Sequence, residues 1–149
     1  MIKKMDITNP DLAEKVLNVQ LPSYRVEAEL IDYDDIPPLK DTVTTLQQCG
    51  ETFYGYYLDG ELAGVIAIKI EQGVMDIHRL IVHPNHFRKG IAKRLLHFIE
   101  GKDGVEIIKV TTGSRNSPAI NFYEKNGFYS VGVIRVNQYL SLASFEKRI

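Results

Sequence analysis

The sequence predicts a mixed α/β domain of the α+β kind, with a mostly antiparallel central sheet of six to seven strands flanked by helices. Three observations carry this. An Asp59-Gly60 pair separates a Thr/Phe/Tyr-rich run from a Val/Ile-rich one, a strong hairpin signal. Apolar residues recur three and four apart from Ile91 to Ile99, as on a helix laid against a sheet. Val105, Ile107, Ile108 and Val110 then make a near-continuous apolar run, the pattern of a buried parallel strand.

The elements follow in order. Ile2–Ile7 suits a short first strand. Pro10 and Asp11 open a helix in which Leu12, Val16, Leu17 and Leu21 share a face. Pro22 is expected to interrupt it, with Ser23 starting a second helical stretch through Tyr24, Ala28 and Ile31. Pro37 and Pro38 break a polar loop, and a short helix is expected over Lys40–Gln48. A meander of three strands follows: Glu51–Leu58, Glu61–Ile70 and Val74–Val82. After the helix that begins at Gly90 come the Val105–Thr112 strand and a helix with Pro118 in its first turn, where a missing N–H is harmless. Gly127 is placed to end that helix in a left-handed cap. Phe128–Val136 and Gln138–Phe145 complete the sheet. The crossover from the central strand to Val105–Thr112 makes one right-handed βαβ unit.

At 149 residues, one domain over 1–149 is the expectation. The formal net charge is −1, which does not suggest a nucleic-acid partner. No apolar run is long enough for a bilayer-spanning helix, so no membrane partner is expected. Cys49 is the only cysteine, which leaves no internal disulfide and favours a structural thiol. With no signal-peptide core at the start, the expected location is cytoplasmic.

Positive charge is concentrated where Leu80-Ile-Val-His-Pro-Asn-His-Phe-Arg-Lys-Gly-Ile-Ala-Lys-Arg-Leu-Leu96 turns from strand to helix. A helix start exposes unpaired N–H groups and partial positive charge. Arg88, Lys89, Gly90 and Lys93 surround that point, so a phosphate-bearing ligand is expected there. Gly90 lets a diphosphate approach the loop amides, and Ala92 is small for the same reason. An ordinary loop glycine and a solvated basic helix start are the bland alternatives. The Gly-Lys-Ser/Thr ending of a nucleotide P-loop is absent. His83 and His86 flank the turn without cysteine or acidic partners, and no metal is expected.

Phe87-Arg88-Lys89-Gly90-Ile91-Ala92, after the Leu80-Ile81-Val82 strand and His83-Pro84, resembles the first motif of the GNAT superfamily of acetyl-CoA-dependent N-acetyltransferases. Asn116-Ser-Pro-Ala119-Ile-Asn-Phe122-Tyr123-Glu-Lys-Asn-Gly127-Phe128 resembles its second. One departure is plain: Phe87 stands where the family has Arg or Gln. The resemblance implies a GNAT-like acyltransferase fold and acetyl-CoA as cosubstrate, with an acetyl group passed directly to a primary amine of a small molecule or peptide. It implies a slot between strands 74–82 and 105–112. Main-chain groups of Leu80, Ile81 and Val82 would hold the pantetheine arm, and Phe87, Arg88, Lys89, Gly90, Ile91, Ala92 and Lys93 the diphosphate. Asn116, with Asn121 behind it, would touch the cofactor, and Tyr123 would protonate the departing thiolate.

Each role has a structural competitor. Asn116 can cap a helix, Tyr123 can be a packed aromatic beside Phe122 and Phe128, and His78 can be merely exposed. A base is needed because an ammonium cannot attack a thioester. Asp76 and His78, two apart on one strand face, are the candidates. Tyr24, Tyr33, Asp34, Asp35, Tyr54 and Tyr56 could form an acidic, aromatic mouth for a cationic amine. A non-catalytic acyl-CoA-binding or sensory module is the alternative function. A monomer or a homodimer fits equally.

Overall fold

The structure, a computed structural model, describes every residue from Met1 to Ile149. Seven strands form one sheet in the order β1-β2-β3-β4-β5-β7-β6. They are β1 (Ile2–Met5), β2 (Thr52–Leu58), β3 (Glu61–Glu71), β4 (Val74–Val82), β5 (Ile107–Gly113), β6 (Tyr129–Arg135) and β7 (Ser141–Arg148). Only β4 and β5 pair in parallel. The mixed, mostly antiparallel sheet expected from the sequence is therefore present. The last strand inserts between β5 and β6. Both meander turns hold two residues with positive φ, Asp59-Gly60 and Gln72-Gly73. That is the type I′ geometry that matches strand twist.

Helices α1 (Pro10–Ile31) and α2 (Val43–Gln48) cover one face; α3 (Ile91–Glu100) and α4 (Ser117–Lys125) cover the other. The α1/α2 layer packs Ala13, Val16, Val19 and Leu46 on Phe53, Val65, Ala67 and Ile81. The α3/α4 layer packs Ile91, Leu95, Leu96, Ile99 and Tyr123 on Tyr54, Tyr56, Ile66, Ile68, Met75 and Ile77. Each large aliphatic buried this way stabilises the fold by about 1.5–3 kcal/mol.

Pro22 does not interrupt α1, which runs unbroken for 22 residues. A proline inside a helix forfeits one backbone hydrogen bond and crowds the carbonyl four residues back. Burial outweighs this here, because Val16, Val19 and Gln20 before Pro22 and Ala28 and Ile31 after it all face inward. Asn9 caps the helix start through its side chain, and Asp32 ends it in the left-handed conformation. The expected 40–48 helix is shorter: Pro37–Lys40 is a 3₁₀ turn, and α2 starts only after a capping box between Thr42 and Thr45. No helix is long and apolar enough to cross a membrane.

Gly64 sets how closely α3 sits on β3. A Cβ there would lie 2.8 Å from Ile91 Cγ2 and 3.2 Å from the Ile81 carbonyl oxygen. Gly64→Ala is expected to cost about 1–3 kcal/mol through overpacking. Urea unfolding checks this, and an unchanged midpoint would show that α3 can shift freely.

Candidate functional site

The β4–β5 ladder is four residues long, from Val74↔Ile107 to Ile77↔Val110. β4 then continues to Val82 and β5 to Gly113 without pairing. On its other edge β4 stays paired to β3 as far as Gly64↔Val82, and the His83 N–H donates to the Ala63 carbonyl at 2.9 Å. Opposed residues in an antiparallel pair alternate between bonded and non-bonded. Arg79 and Ile81 therefore turn their main-chain groups toward β3, while Leu80 and Val82 turn theirs toward the gap. Of the three strand residues expected to hold a ligand arm, Ile81 is instead committed to β3, and its side chain is buried under α1.

The β3–β4 register slips between Ala67↔Arg79 and Ile68↔Ile77, leaving His78 as an extra residue on β4. Such a bulge shifts the side-chain alternation. Met75 and Ile77 before it, and Leu80 and Val82 after it, all pack on the α3 side. Asp76, His78 and Arg79 are left on the α1 side.

Beyond β4 the Pro84–His86 turn leads into α3. Gly90 is the N-cap at φ +76°, with no side-chain cap bond. The amides of Ile91, Ala92 and Lys93 thus have no partner within the helix. Nothing lies within 4 Å of where a Gly90 Cβ would stand, so the approach to these amides is open. Arg88 also has positive φ, +65°. Asp59 and Gln72 have it in hairpin turns and Asp32 at a helix cap, but Arg88 has neither excuse. That strain, about 1–2 kcal/mol, sits next to the helix start. Lys89 Nζ lies 3.1 Å from His86 Nδ1. Phe87 is 41% exposed, and Lys93 is exposed too. Arg94 turns away and donates to the Tyr56 hydroxyl at 2.6 Å. These groups fit a diphosphate: bare amides, a glycine with open space above it, and flanking cations.

Tyr123 on α4 is buried against Phe122, Phe128 and Phe145. Its hydroxyl bonds to no group in the chain, yet no buried side-chain oxygen lacks a partner. The hydroxyl therefore reaches an accessible surface. Burial pushes its pKa well above the ordinary phenol, and the charge of Glu27 adds to this. Tyr24 is raised in the same way, by burial and then by Glu27. Both stay protonated.

Asn116 is the N-cap of α4: its Oδ1 accepts from the Ala119 amide at 3.3 Å. Its Nδ2 donates to Glu27 Oε1 at 3.0 Å and to Thr112 Oγ1 at 3.4 Å. Thr112 also donates to Glu27. The carboxamide is thus fully engaged within the chain, in the capping role that was its structural alternative. Asn121 is exposed on α4. Glu27 had no sequence signal, since a lone glutamate on a long helix looks like a solvated face. In the fold it joins α1 to the start of α4 across the gap.

On the α1 side, Arg79 is the centre of a polar cluster. It donates to Glu51 at 2.8 and 3.1 Å, to Asp41 at 2.6 Å and to Gln20 at 2.9 Å. Gln20 in turn donates to Asp41 and to the Pro38 carbonyl. His78 stands between two carboxylates, with Nδ1 3.9 Å from Glu51 and Nε2 3.8 Å from Asp76. The structure thus brings Asp76 and His78 together, as expected, and adds Glu51, which sequence reading missed. The acidic, aromatic mouth is not formed. Tyr54 and Tyr56 face the α3 side of the sheet, and Asp35 is tied to Lys40.

Residues 13–128 match the sequence profile of the Acetyltransferase (GNAT) family. The chain belongs to the GNAT family. Among curated proteins, "UPF0157 protein YqkA" of Bacillus subtilis (strain 168) is 38% identical over 146 residues, covering 97% of this chain and 43% of that protein. "Peptidyl-lysine N-acetyltransferase YiaC" of Escherichia coli (strain K12) is 33% identical over 73 residues, 49% of this chain and 47% of that one. The matches thus span less than half the length of these curated relatives. Among solved structures, PaiA N-acetyltransferase from Thermoplasma acidophilum, crystallised in complex with coenzyme A, superposes with a TM-score of 0.75 at 24% identity, covering 100% of this chain and 98% of that one. This GNAT chain therefore shares the GNAT acyltransferase fold.

The Arg79 cluster gives a pH signature. Burial works against the Asp41 charge, but hydrogen bonds from Arg79, Thr45 and Gln20 outweigh it and hold the carboxyl below its usual 3.8. The unfolded chain takes up that proton more readily, so this stabilisation is present above the ordinary carboxylate pKa and is lost as pH falls through the folded one. Asp41→Asn is expected to be destabilised relative to the parent near neutrality, with the gap narrowing on acidification. Urea melts at about pH 7 and about pH 3 check this; a gap independent of pH would remove Asp41 from the acid response.

Proposed function

We propose that this GNAT chain transfers an acetyl group from acetyl-CoA to a primary amine of a small molecule or peptide. The observation that carries the reading is the parting of β4 from β5 beside an uncapped helix start. Leu80 and Val82 then offer main-chain groups to an amide-rich arm, as a strand would to its neighbour. The amides of Ile91, Ala92 and Lys93, with Arg88 and Lys89 beside them, take the diphosphate at the end of that arm. The peptidyl-lysine acceptor in the name of the E. coli relative is a precedent for a peptide amine.

In this reading His78, at the bulge where the strands part, removes a proton from the acceptor ammonium, with Asp76 behind its Nε2. The freed nitrogen forms a C–N bond to the thioester carbonyl carbon. A main-chain N–H of Leu80 or Val82 stabilises the developing oxyanion. The C–S bond breaks with its electron pair on sulfur, the Tyr123 hydroxyl supplies the proton the thiolate needs, and the second proton, shed by the nitrogen as it becomes an amide, restores that hydroxyl through solvent. Holding both reactants in one gap supplies much of the rate, and no covalent enzyme intermediate is required.

The test is a panel of amines incubated with acetyl-CoA, following free thiol release alongside coenzyme A binding by calorimetry. Amine-dependent release supports transfer. Binding without release for any amine overturns it in favour of an acyl-CoA-binding module. Tyr123→Phe removes a hydroxyl that no group of the chain uses, so the fold should be retained. Its turnover is expected to fall about a hundred-fold with coenzyme A affinity unchanged. Full turnover in this variant would exclude Tyr123 as the acid.

A further inference from the structure

Next to the gap between β4 and β5 lies a cavity of about 170 Å³ that the donor side does not use. Ile31 of α1, Ser114 and Arg115 of the β5–α4 connection, and Arg135, Gln138 and Ser141 around the β6–β7 turn line it. No acidic residue is among its lining residues. Neither Arg115 nor Arg135 takes part in any ion pair of the chain. Arg115 Nη1 donates to the Ile31 carbonyl at 3.4 Å, and Arg135 Nε donates to the Asn137 carbonyl at 3.3 Å. One contact each leaves most of the five donors of both guanidinium groups free. Two unpaired guanidinium groups, with two serine hydroxyls and a glutamine amide around them, are suited to a carboxylate.

The place of the cavity in the fold decides what the carboxylate belongs to. Ile31 lies one helical turn, about 6 Å, beyond Glu27. Arg115 immediately precedes Asn116, which Glu27 binds. The cavity therefore continues the gap on the side away from the α3 start, where the acceptor of the proposed reaction must enter.

We infer that the cavity holds a carboxylate at the far end of the acceptor, so that the substrate is an amine joined to a carboxylate through several bonds. This rests on the acetyltransferase reading. Two sources share that chemistry: a free straight-chain amino acid with a terminal amine, and an acidic side chain or C-terminus on a short peptide. Asp32 and Asp34, which follow Ile31, are not among the residues that line the cavity and do not neutralise it from within.

The test compares matched acceptors. One arm runs from β-alanine through γ-aminobutyrate and δ-aminovalerate to aminocaproate, each against its carboxamide. The other sets the dipeptide Ala-Glu against Ala-Gln amide. The arm with the larger preference identifies the source. The carboxylate member of a pair is expected to have a kcat/KM about ten-fold higher or more. That ratio should fall toward one in Arg135→Gln and in Arg115→Gln. A wild-type ratio at or below one, or a ratio that both variants leave intact, overturns the inference while transfer itself stands. The same acids titrated calorimetrically into the coenzyme A-loaded protein give a readout without turnover. Carboxylate binding that Arg135→Gln abolishes, in a protein that acetylates nothing, would uphold the cavity assignment and sink the transferase reading. No carboxylate binding and no transfer would sink both.

Discussion

The short β4–β5 ladder is the constraint on which the rest of the molecule depends. A sheet normally pairs every buried main-chain group, because an unpaired one costs free energy. Here pairing stops after Ile77 and Val110, although both strands continue. The His78 bulge coincides with the parting. Without the extra residue, alternation would turn Leu80 and Val82 to the α1 side and their amides toward β3. With it, the α3 side keeps its apolar row through Met75, Ile77, Leu80 and Val82, and the main-chain groups of Leu80 and Val82 face the gap. The same shift turns Arg79 to the α1 side, beside Asp76 and His78, which alternation with Met75 and Ile77 already places there. One irregular residue thus sets which groups of β4 face the gap.

A sheet joined by only four paired residues needs other ties between its halves. The α3/α4 core supplies one, since Ile77 and Val82 of β4 share a cluster with Val110, Tyr123 and Phe145. The second tie is polar. Glu27 accepts from Asn116 and Thr112, and Arg115 reaches the Ile31 carbonyl, so α1 is pinned to the β5–α4 connection across the gap. Arg79 and its carboxylates hold the other flank, linking α1, the 38–41 segment and Glu51 at the entrance to β2. Arg79 is 10% and Glu51 6% exposed, so losing one partner would leave an unmatched charge and cost about 3–5 kcal/mol. Polar contacts of this kind are directional. They fix the width and angle of the opening in a way that apolar packing alone does not.

Much of this was legible from local chemistry. Asp59-Gly60 marked its hairpin because two consecutive positive-φ positions favour those residues. Gly90 marked the start of α3 and Gly127 the end of α4 for the same reason, at φ +76° and +90°. Pro22 misled, since its local cost is real but the burial on either side of it comes from strands distant in sequence. Tyr54 and Tyr56 misled differently. Alternation with Phe53 says that they share a face, but not which helix layer covers it. The Arg79 cluster joins residues 20, 38, 41, 51 and 79, and no periodicity or short motif relates such positions.

This asymmetry has a physical origin. In the proposed reading the donor would be gripped chiefly by main chain: the edge of β4 and the first amides of α3. Main-chain recognition demands a backbone path, and a path is written locally, as a glycine at positive φ, a small residue after it and a proline turn before. Those demands make contiguous motifs, so the family resemblance showed in residues 80–96 together with the 116–128 motif. The cavity proposed for the acceptor is lined instead by side chains on α1, the β5–α4 connection and the β6–β7 turn. Residues such as Glu27, Arg115 and Arg135 each satisfy ordinary surface rules in their own segment and acquire meaning only when the fold brings them together. On that proposal, a chain of this architecture would change its acceptor by single substitutions at scattered positions while its donor motif stays fixed.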